Sequence, residues 1–131
     1  MTPSLKGKHI ALLVTDGFEQ VELTGPKEAL EKLGATVDIL SDTIDTVRGW
    51  HHDKPADAFK VSKTFEVARV NDYDAVVLPG GVMNADQIRS IPRAQELVKQ
   101  AAAQEKPIAV ICHGAWLLVS AGLVKGRTLT S

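Results

Sequence analysis

Residues 9–15 read HIALLVT, an uninterrupted apolar run that ends at Asp16 and Gly17. A run of this kind predicts a strand buried on both faces, which is typical of a parallel sheet covered by helices. Residues 21–33 follow with leucines spaced along one helix face, and Gly34 is a natural helix end. A strand followed directly by a helix is the first sign of an α/β fold.

The same alternation continues along the chain. Pro26 lies inside the first helical pattern and predicts a kink or a later start of that helix, and Lys54 with Pro55 is expected to break the irregular region after the second strand. The remaining predicted elements are strand 36–41, short strands or a hairpin over 58–62 and 64–67, strand 74–78, a helix that begins at Pro92 and buries Ala94, Leu97, Val98 and Ala101, strand 107–111, helix 115–121 and strand 127–131. Because the last strand begins just before the sequence stops, we expect a C-terminal part of the domain to follow Ser131.

Composition excludes several classes of protein. The 131 residues carry 15 Lys and Arg against 16 Asp and Glu, so the chain lacks the basic footprint of a nucleic-acid-binding protein. The apolar run near the start is far too short for a membrane span, and residues 1–9 lack the apolar core of a signal peptide. A single cysteine is typical of a reducing compartment. We therefore expect a soluble, cytoplasmic domain with neither a nucleic-acid nor a membrane partner.

Three predicted strands end in residues that suit catalysis. Residues 16–19 (DGFE) follow the first strand, residues 79–81 (PGG) follow strand 74–78, and residues 112–114 (CHG) follow strand 107–111. The carboxyl ends of parallel strands share one edge of a sheet, which is where open α/β folds bind ligands. The three segments are therefore expected to meet in one site.

Cys112 is the candidate nucleophile of this site. A thiol on a tight turn between a strand and a helix is held out of the sheet, and the free N–H groups of the following helix favour its thiolate. The alternative is a small buried side chain, which is what most free cysteines are. His113 is either the base that activates Cys112 or a solvent-facing residue at a helix start.

Glu19, Gly80 and Gly81 are the other candidates. A protonated Glu19 would donate a hydrogen bond to the sulfur and stabilise its anion, and the alternative is a solvated or helix-capping glutamate. Gly80 and Gly81 offer backbone N–H groups for an oxyanion hole, or simply turn the chain.

Two further features of the sequence have simpler interpretations. The sequence His51-His52-Asp53 could suggest a metal site. Adjacent histidines point apart in an extended chain, however, and the sequence has neither a cysteine cluster nor a third histidine at a suitable spacing. We therefore expect an exposed polar loop there, with no metal and no cofactor. Trp116, in the helix after Cys112, is expected in the core.

The segments DGFE at 16–19, LPGG at 78–81 and ICHG at 111–114 together resemble the PfpI family of the ThiJ/PfpI superfamily, in order and spacing over essentially the whole chain. The resemblance implies a flavodoxin-like three-layer sandwich around a mostly parallel central sheet, of the class I glutamine amidotransferase type. It further implies a single ThiJ/PfpI domain over residues 1–131 whose C-terminal part is missing.

The resemblance also assigns roles to individual residues. It implies that Cys112 is the nucleophile, that Glu19 is hydrogen-bonded to its sulfur, that His113 is the adjacent base, and that Gly81 and the His113 amide form the oxyanion hole. It implies too that an acid from a neighbouring subunit completes the triad, so that the protein is a homodimer or a higher homo-oligomer. That acid is here Asp86, although the pattern before it has one extra residue and aspartate stands where glutamate is usual.

Two functions of different classes follow. The resemblance implies a cysteine-dependent hydrolase of a stress response that acts on the carbonyl carbon of a small-molecule or peptide substrate, as an intracellular peptidase, a deglycase or a glyoxalase. The alternative is a non-enzymatic oxidative-stress protein in which Cys112 senses peroxide; without a second cysteine, a sulfinate is favoured over a disulfide. A chaperone-like dimer with a vestigial site is a third possibility without specific support in the sequence.

Overall fold

The computed structural model describes residues 4–123, and helices and strands alternate along them. Short 3-10 turns lie at Val70–Asp72 and Cys112–Gly114. The predicted strand 127–131 falls outside the described residues. In chain order the elements are β1 (His9–Leu13), β2 (Phe18–Glu19), α1 (Gln20–Lys32), β3 (Thr36–Ser41), β4 (Thr46–His51), β5 (Lys54–Lys60), β6 (Lys63–Thr64), β7 (Ala75–Leu78), α2 (Val82–Ile88), α3 (Pro92–Ala103), β8 (Ile108–Val110) and α4 (Ala115–Ser120).

The central sheet has the strand order β6-β3-β1-β7-β8, and all four of its strand pairings are parallel. β1 lies in the middle and alternates its buried side chains between the two faces of the sheet. Ala11 and Leu13 join the core beneath α3 and α4, whereas Ile10 and Leu12 join the core beneath α1. Helices therefore cover both faces, which confirms the predicted α/β sandwich with a mostly parallel sheet.

A second, smaller sheet has the order β2-β4-β5 and stands beside the first. β4 and β5 form an antiparallel hairpin, and the short strand β2 pairs with β4 in parallel. The expectation that Lys54 and Pro55 break the chain is wrong, since both residues open β5. Proline is accepted there because β5 is an edge strand and Pro55 is its second residue. The tip of this hairpin lies next to the end of β2.

Two helices also differ from the sequence prediction. α1 begins at Gln20 and continues through Pro26, so the predicted later start is wrong. Pro26 has no N–H to donate within the helix, so one helical hydrogen bond is lost. Leu23 and Leu30 on either side of the proline pack against the sheet, and this packing keeps the helix continuous. α2 was not predicted, because its seven residues are too few to show a helical period. The stripe predicted for α3 is confirmed, since all four of its residues are buried.

None of the helices in the described part of the chain has the length and apolar character needed to cross a membrane.

Leu12 tests this placement of the core, since its side chain is fully buried in the central strand. Leu12→Ala is expected to lower the free energy of unfolding by about 2–5 kcal/mol, because deleted methyl groups leave a cavity in the packed interior. Urea unfolding measures the loss. Val21→Ala is the control, since Val21 is 62% exposed and its truncation should change the free energy by about 0.5 kcal/mol or less. Equal losses in the two variants would contradict this core.

Candidate active site

A cavity of about 680 Å³ opens where the chain leaves β1, β7 and β8. It is lined by residues of the segments 17–22, 81–83 and 112–113, and by residues 50–53 at the tip of the hairpin. The three segments that follow the parallel strands were predicted to meet, and they do. The hairpin supplies a fourth wall that the sequence did not indicate.

Cys112 lies at the end of β8 in a conformation that side chains seldom adopt. Its φ of +49° is in the left-handed region, and its side chain is exposed. Gly114 follows on the same 3-10 turn, where its N–H donates to the Ile111 carbonyl over 2.9 Å. The alternative of a buried structural cysteine is therefore wrong. A strained turn that presents a nucleophile to solvent is the arrangement of a nucleophile elbow.

Glu22 is the acid beside the thiol. It lies in the first turn of α1, and its Oε1 accepts a hydrogen bond of 2.8 Å from the Gly80 N–H. Hydrogen bonding to the Glu22 carboxylate and the negative charge of that group raise the pKa of the Cys112 thiol above its usual value, and desolvation and the charge of Glu19 act in the same direction. A raised thiol pKa means that the sulfur keeps its proton at neutral pH, with a carboxylate next to it.

The raised pKa of the Cys112 thiol runs against the expected stabilisation of its thiolate. The helix that follows the cysteine, α4, has only six residues and is preceded by the 3-10 turn, so it offers few aligned peptide dipoles. The negative charge of the Glu22 carboxylate disfavours the thiolate beside it. What the geometry provides instead is a carboxylate placed to accept the thiol proton.

Glu19 has a different role from the one predicted for it. Its carboxylate accepts the His52 backbone N–H, at 3.1 Å for Oε1 and 3.3 Å for Oε2. β2 pairs Glu19 with Trp50, and this register sets the side chain of Glu19 against the hairpin turn and not against the sulfur. Glu19 thus anchors one wall of the cavity. Glu22 was missed in the sequence, where its spacing of three from Glu19 at a helix start was the available signal.

The hairpin tip forms the wall opposite the strand ends. Trp50, His52 and Asp53 all line the cavity, and His52 has a φ of +57° that turns its N–H towards Glu19. His51, His52 and Asp53 are exposed, as expected for a polar loop. Within residues 4–123, no group of three or more His, Cys, Asp or Glu side chains is arranged to hold a metal ion.

Glycine is required at both candidate oxyanion positions. At Gly81, with φ +91°, a Cβ atom would lie 2.6 Å from the Glu19 nitrogen and 2.6 Å from the Gly17 carbonyl oxygen. At Gly80 it would lie 2.8 Å from the Ile111 carbonyl oxygen and 3.0 Å from the Cys112 Cβ. The glycines therefore let two strand ends and α1 approach one another, with Gly81 facing the cavity.

His113 is exposed, lines the cavity and packs against Trp116. Its ring meets the Trp116 ring edge-on, with centroids 4.9 Å apart and an interplanar angle of 74°. The Arg89 guanidinium lies 5.4 Å from the centroid of Trp116, and Arg89 Nε donates to Ser120 Oγ over 3.0 Å. Trp116 is thus half-buried and not a core residue as predicted.

Asp86 lies outside the cavity. It is exposed on α2, one helical turn beyond Val82, which lines the cavity. The described residues therefore bring together Cys112, His113 and the Gly81 backbone, with Glu22 in the place predicted for Glu19. They leave Asp86 exposed on α2, outside the cavity. Its action on a neighbouring subunit stays a prediction.

The raised pKa of Cys112 gives a direct test of Glu22. Glu22→Gln is expected to lower the pKa of the Cys112 thiol, because it removes the negative charge while the amide oxygen still accepts the Gly80 N–H. The rate of alkylation by iodoacetamide as a function of pH measures this pKa. Glu19→Gln is the matched control and should shift the Cys112 pKa less, because the charge of Glu19 contributes least to raising it. An unchanged or higher pKa in Glu22→Gln would contradict the assignment.

Comparison with known proteins gives consistent results. The sequence is 36% identical over 124 residues to the Bacillus subtilis protein named "Putative cysteine protease YraA", covering 94% of this chain and 70% of that protein. It is 37% identical over 122 residues to Deglycase PfpI of Pyrococcus furiosus, covering 93% of this chain and 70% of the relative. The chain thus spans about 70% of the length of these curated relatives.

Solved structures agree with the sequence comparison. A two-domain protein of Anabaena variabilis with DJ-1/ThiJ/PfpI-like and ferritin-like domains superposes with a TM-score of 0.85 at 29% identity, over 92% of this chain and 34% of that one. The C103A mutant of the DJ-1 superfamily protein STM1931 from Salmonella typhimurium gives a TM-score of 0.77 at 32% identity, over 92% of this chain and 64% of that one. The sequence model of the DJ-1/PfpI family matches residues 8–131. The chain belongs to the DJ-1/PfpI family.

Proposed function

We propose that this protein is a cysteine-dependent hydrolase that attacks carbonyl carbons, with Cys112 as the nucleophile and Glu22 as its base. The observation that carries the proposal is an exposed thiol on a strained turn, next to a carboxylate and at the mouth of a cavity. A thiol with a raised pKa reacts poorly by itself, so a base within reach is what nucleophilic catalysis requires of this site.

The first step uses only groups that face the cavity. As Cys112 Sγ bonds to the carbonyl carbon, the thiol proton passes to a carboxylate oxygen of Glu22, and the carbonyl π electrons move onto oxygen. The backbone N–H groups of Gly81 and His113 would donate to that oxygen, where developing charge is stabilised most effectively by preorganised dipoles. His113, with its ring held against Trp116, is placed to carry protons to and from the adduct.

The fate of the adduct depends on the substrate. With a peptide, the C–N bond breaks, the leaving amine takes a proton, and water hydrolyses the resulting thioester to a carboxylate and the free thiol. With methylglyoxal, the hemithioacetal transfers a proton from one carbon to the next and becomes a lactoyl thioester, which water then hydrolyses to lactate. Neither sequence needs an external oxidant or reductant.

The size and openness to solvent of the site favour substrates larger than a free dicarbonyl. A cavity of about 680 Å³ accommodates several residues of a peptide or a glycated side chain. The relatives named a deglycase and a cysteine protease point to the same class of substrate. We therefore propose a peptide or glycated side chain as the principal substrate, with methylglyoxal as a minor one.

The peroxide-sensor alternative is less well supported. Reaction with peroxide requires the thiolate, and Glu22 raises the pKa of the Cys112 thiol. A higher thiol pKa leaves less thiolate for peroxide to oxidise at neutral pH.

The hydrolase is tested by replacing the nucleophile. Cys112→Ser is expected to reduce turnover about a thousandfold or more, because a serine hydroxyl is not deprotonated by a lone carboxylate. Three probes are followed: a lysine peptide glycated by methylglyoxal, a fluorogenic peptide amide and methylglyoxal itself. An unchanged thermal melting curve shows that the variant is folded. Turnover by Cys112→Ser at the wild-type rate, or no turnover of any probe by the wild type, would contradict the proposal.

We further propose that Asp86 acts on the site of a neighbouring subunit in a homo-oligomer. It is exposed on the face of α2 that continues from the cavity-lining Val82, which suits a residue that reaches into a second copy. Its charge would orient the neighbour's His113 and leave the thiol pKa nearly untouched.

Mixing two inactive variants tests this arrangement. Asp86→Ala and Cys112→Ser are each expected to be impaired. An equimolar mixture that has reassorted should regain about a quarter of wild-type turnover, because about half of the dimers are hybrids and one of the two sites in each hybrid has both groups. Turnover after unfolding and refolding the mixture is compared with that of each variant treated alone. No recovery in a mixture that sizing shows to be oligomeric would contradict action across the interface.

A further inference from the structure

Asn84 is a polar side chain that the chemistry above does not use, although it is fully buried next to the site. It lies in α2, and its exposed fraction is 0%. A buried amide is costly unless all its hydrogen-bonding groups are satisfied, so its partners indicate what it holds in place.

All four hydrogen-bonding positions of the Asn84 amide are occupied. Oδ1 accepts the Thr15 N–H at 2.7 Å and the Thr15 hydroxyl at 3.1 Å. Nδ2 donates to the Pro79 carbonyl at 3.1 Å and to the Gly80 carbonyl at 3.0 Å. Because the Thr15 N–H can only donate, the amide cannot be reversed. The side chain therefore joins the end of β1 to the turn that follows β7.

The bond to the Gly80 carbonyl also determines where the next amide points. The Gly80 carbonyl and the Gly81 N–H belong to one planar peptide, and no cis peptide occurs in the described residues. In a trans peptide these two groups point in opposite directions. The carbonyl accepts from Asn84 Nδ2 at 3.0 Å and, over a longer 3.4 Å, from the Glu19 N–H. With the carbonyl held in this way, the Gly81 N–H is turned away from α2, and it has no acceptor among residues 4–123. Gly81 itself lines the cavity.

We infer that Asn84 is a positioning residue that aims the Gly81 N–H into the cavity as an oxyanion donor. The inference rests on the proposed function, since only attack on a carbonyl makes such a donor useful. Asn84 does not touch the substrate; it acts through the Gly80–Gly81 peptide. Glycine at positions 80 and 81 allows this peptide several orientations, so hydrogen bonds to its carbonyl from outside the turn are needed to fix the direction of the Gly81 N–H.

Asn84→Asp separates this role from packing, because the two side chains have nearly the same shape. The aspartate still accepts from Thr15 but donates nothing to Pro79 and Gly80, and its charge repels both carbonyl oxygens. We expect kcat to fall about a hundredfold to a thousandfold with KM nearly unchanged, as when an oxyanion donor is lost. Thr15→Val is the matched control: it removes only the hydrogen bonds of the Thr15 hydroxyl to Asn84 Oδ1 and to the Asn84 carbonyl, so melting should occur at a lower temperature while kcat stays within about twofold of the wild type.

A structural readout makes the test independent of turnover. In protein labelled with ¹⁵N-glycine, the Gly81 amide proton should show a nuclear Overhauser contact to the Cys112 β protons in the wild type and in Thr15→Val, and should lose it in Asn84→Asp. Absence of this contact in the wild type overturns the inference even if Asn84→Asp does not fold. A contact and a kcat that both survive in folded Asn84→Asp also overturn it. A contact that depends on Asn84 in a wild type without turnover supports the positioning role and contradicts the proposed function instead.

Discussion

The hydrogen bond from the Gly80 N–H to Glu22 Oε1 is the interaction on which the site depends. It joins the turn after β7 to the first turn of α1, and it fixes the carboxylate beside Cys112. Only glycine allows this approach, because a Cβ at position 80 would meet the Ile111 carbonyl oxygen at 2.8 Å and the Cys112 Cβ at 3.0 Å. One backbone donor thus holds the Glu22 carboxylate beside the Cys112 thiol.

The parallel sheet makes that interaction possible. β1, β7 and β8 run in the same direction, so the segments that follow them emerge at one edge. The spacing of apolar residues, and the glycines and prolines that end each run, were enough to predict this part of the fold. The apolar run of β1 and the buried stripe of α3 are long and regular. They could not predict α2 or the start of β5, because a seven-residue helix shows no period and proline is acceptable on an edge strand.

The site was predictable to the extent that it follows from strand ends. Cys112, His113 and Gly81 lie directly after parallel strands and face one cavity, as position alone indicated. Which glutamate reaches the sulfur was not predictable, because it depends on the pairing of β2 with β4, which commits Glu19 to the hairpin. The direction of the shift in the Cys112 pKa depends on the same pairing, because it is Glu22 and not Glu19 that lies next to the thiol and raises its pKa most.

In the proposed mechanism no substrate is turned over without the Cys112 thiol. Stoichiometric blocking of this thiol tests that requirement most directly. Methyl methanethiosulfonate adds only a small group to the sulfur, and dithiothreitol removes it. With the modified fraction read from the protein mass, residual turnover of the glycated peptide should equal the fraction of unmodified Cys112 and return in full on reduction. A fully modified protein that turns over the peptide at the unmodified rate would contradict the account.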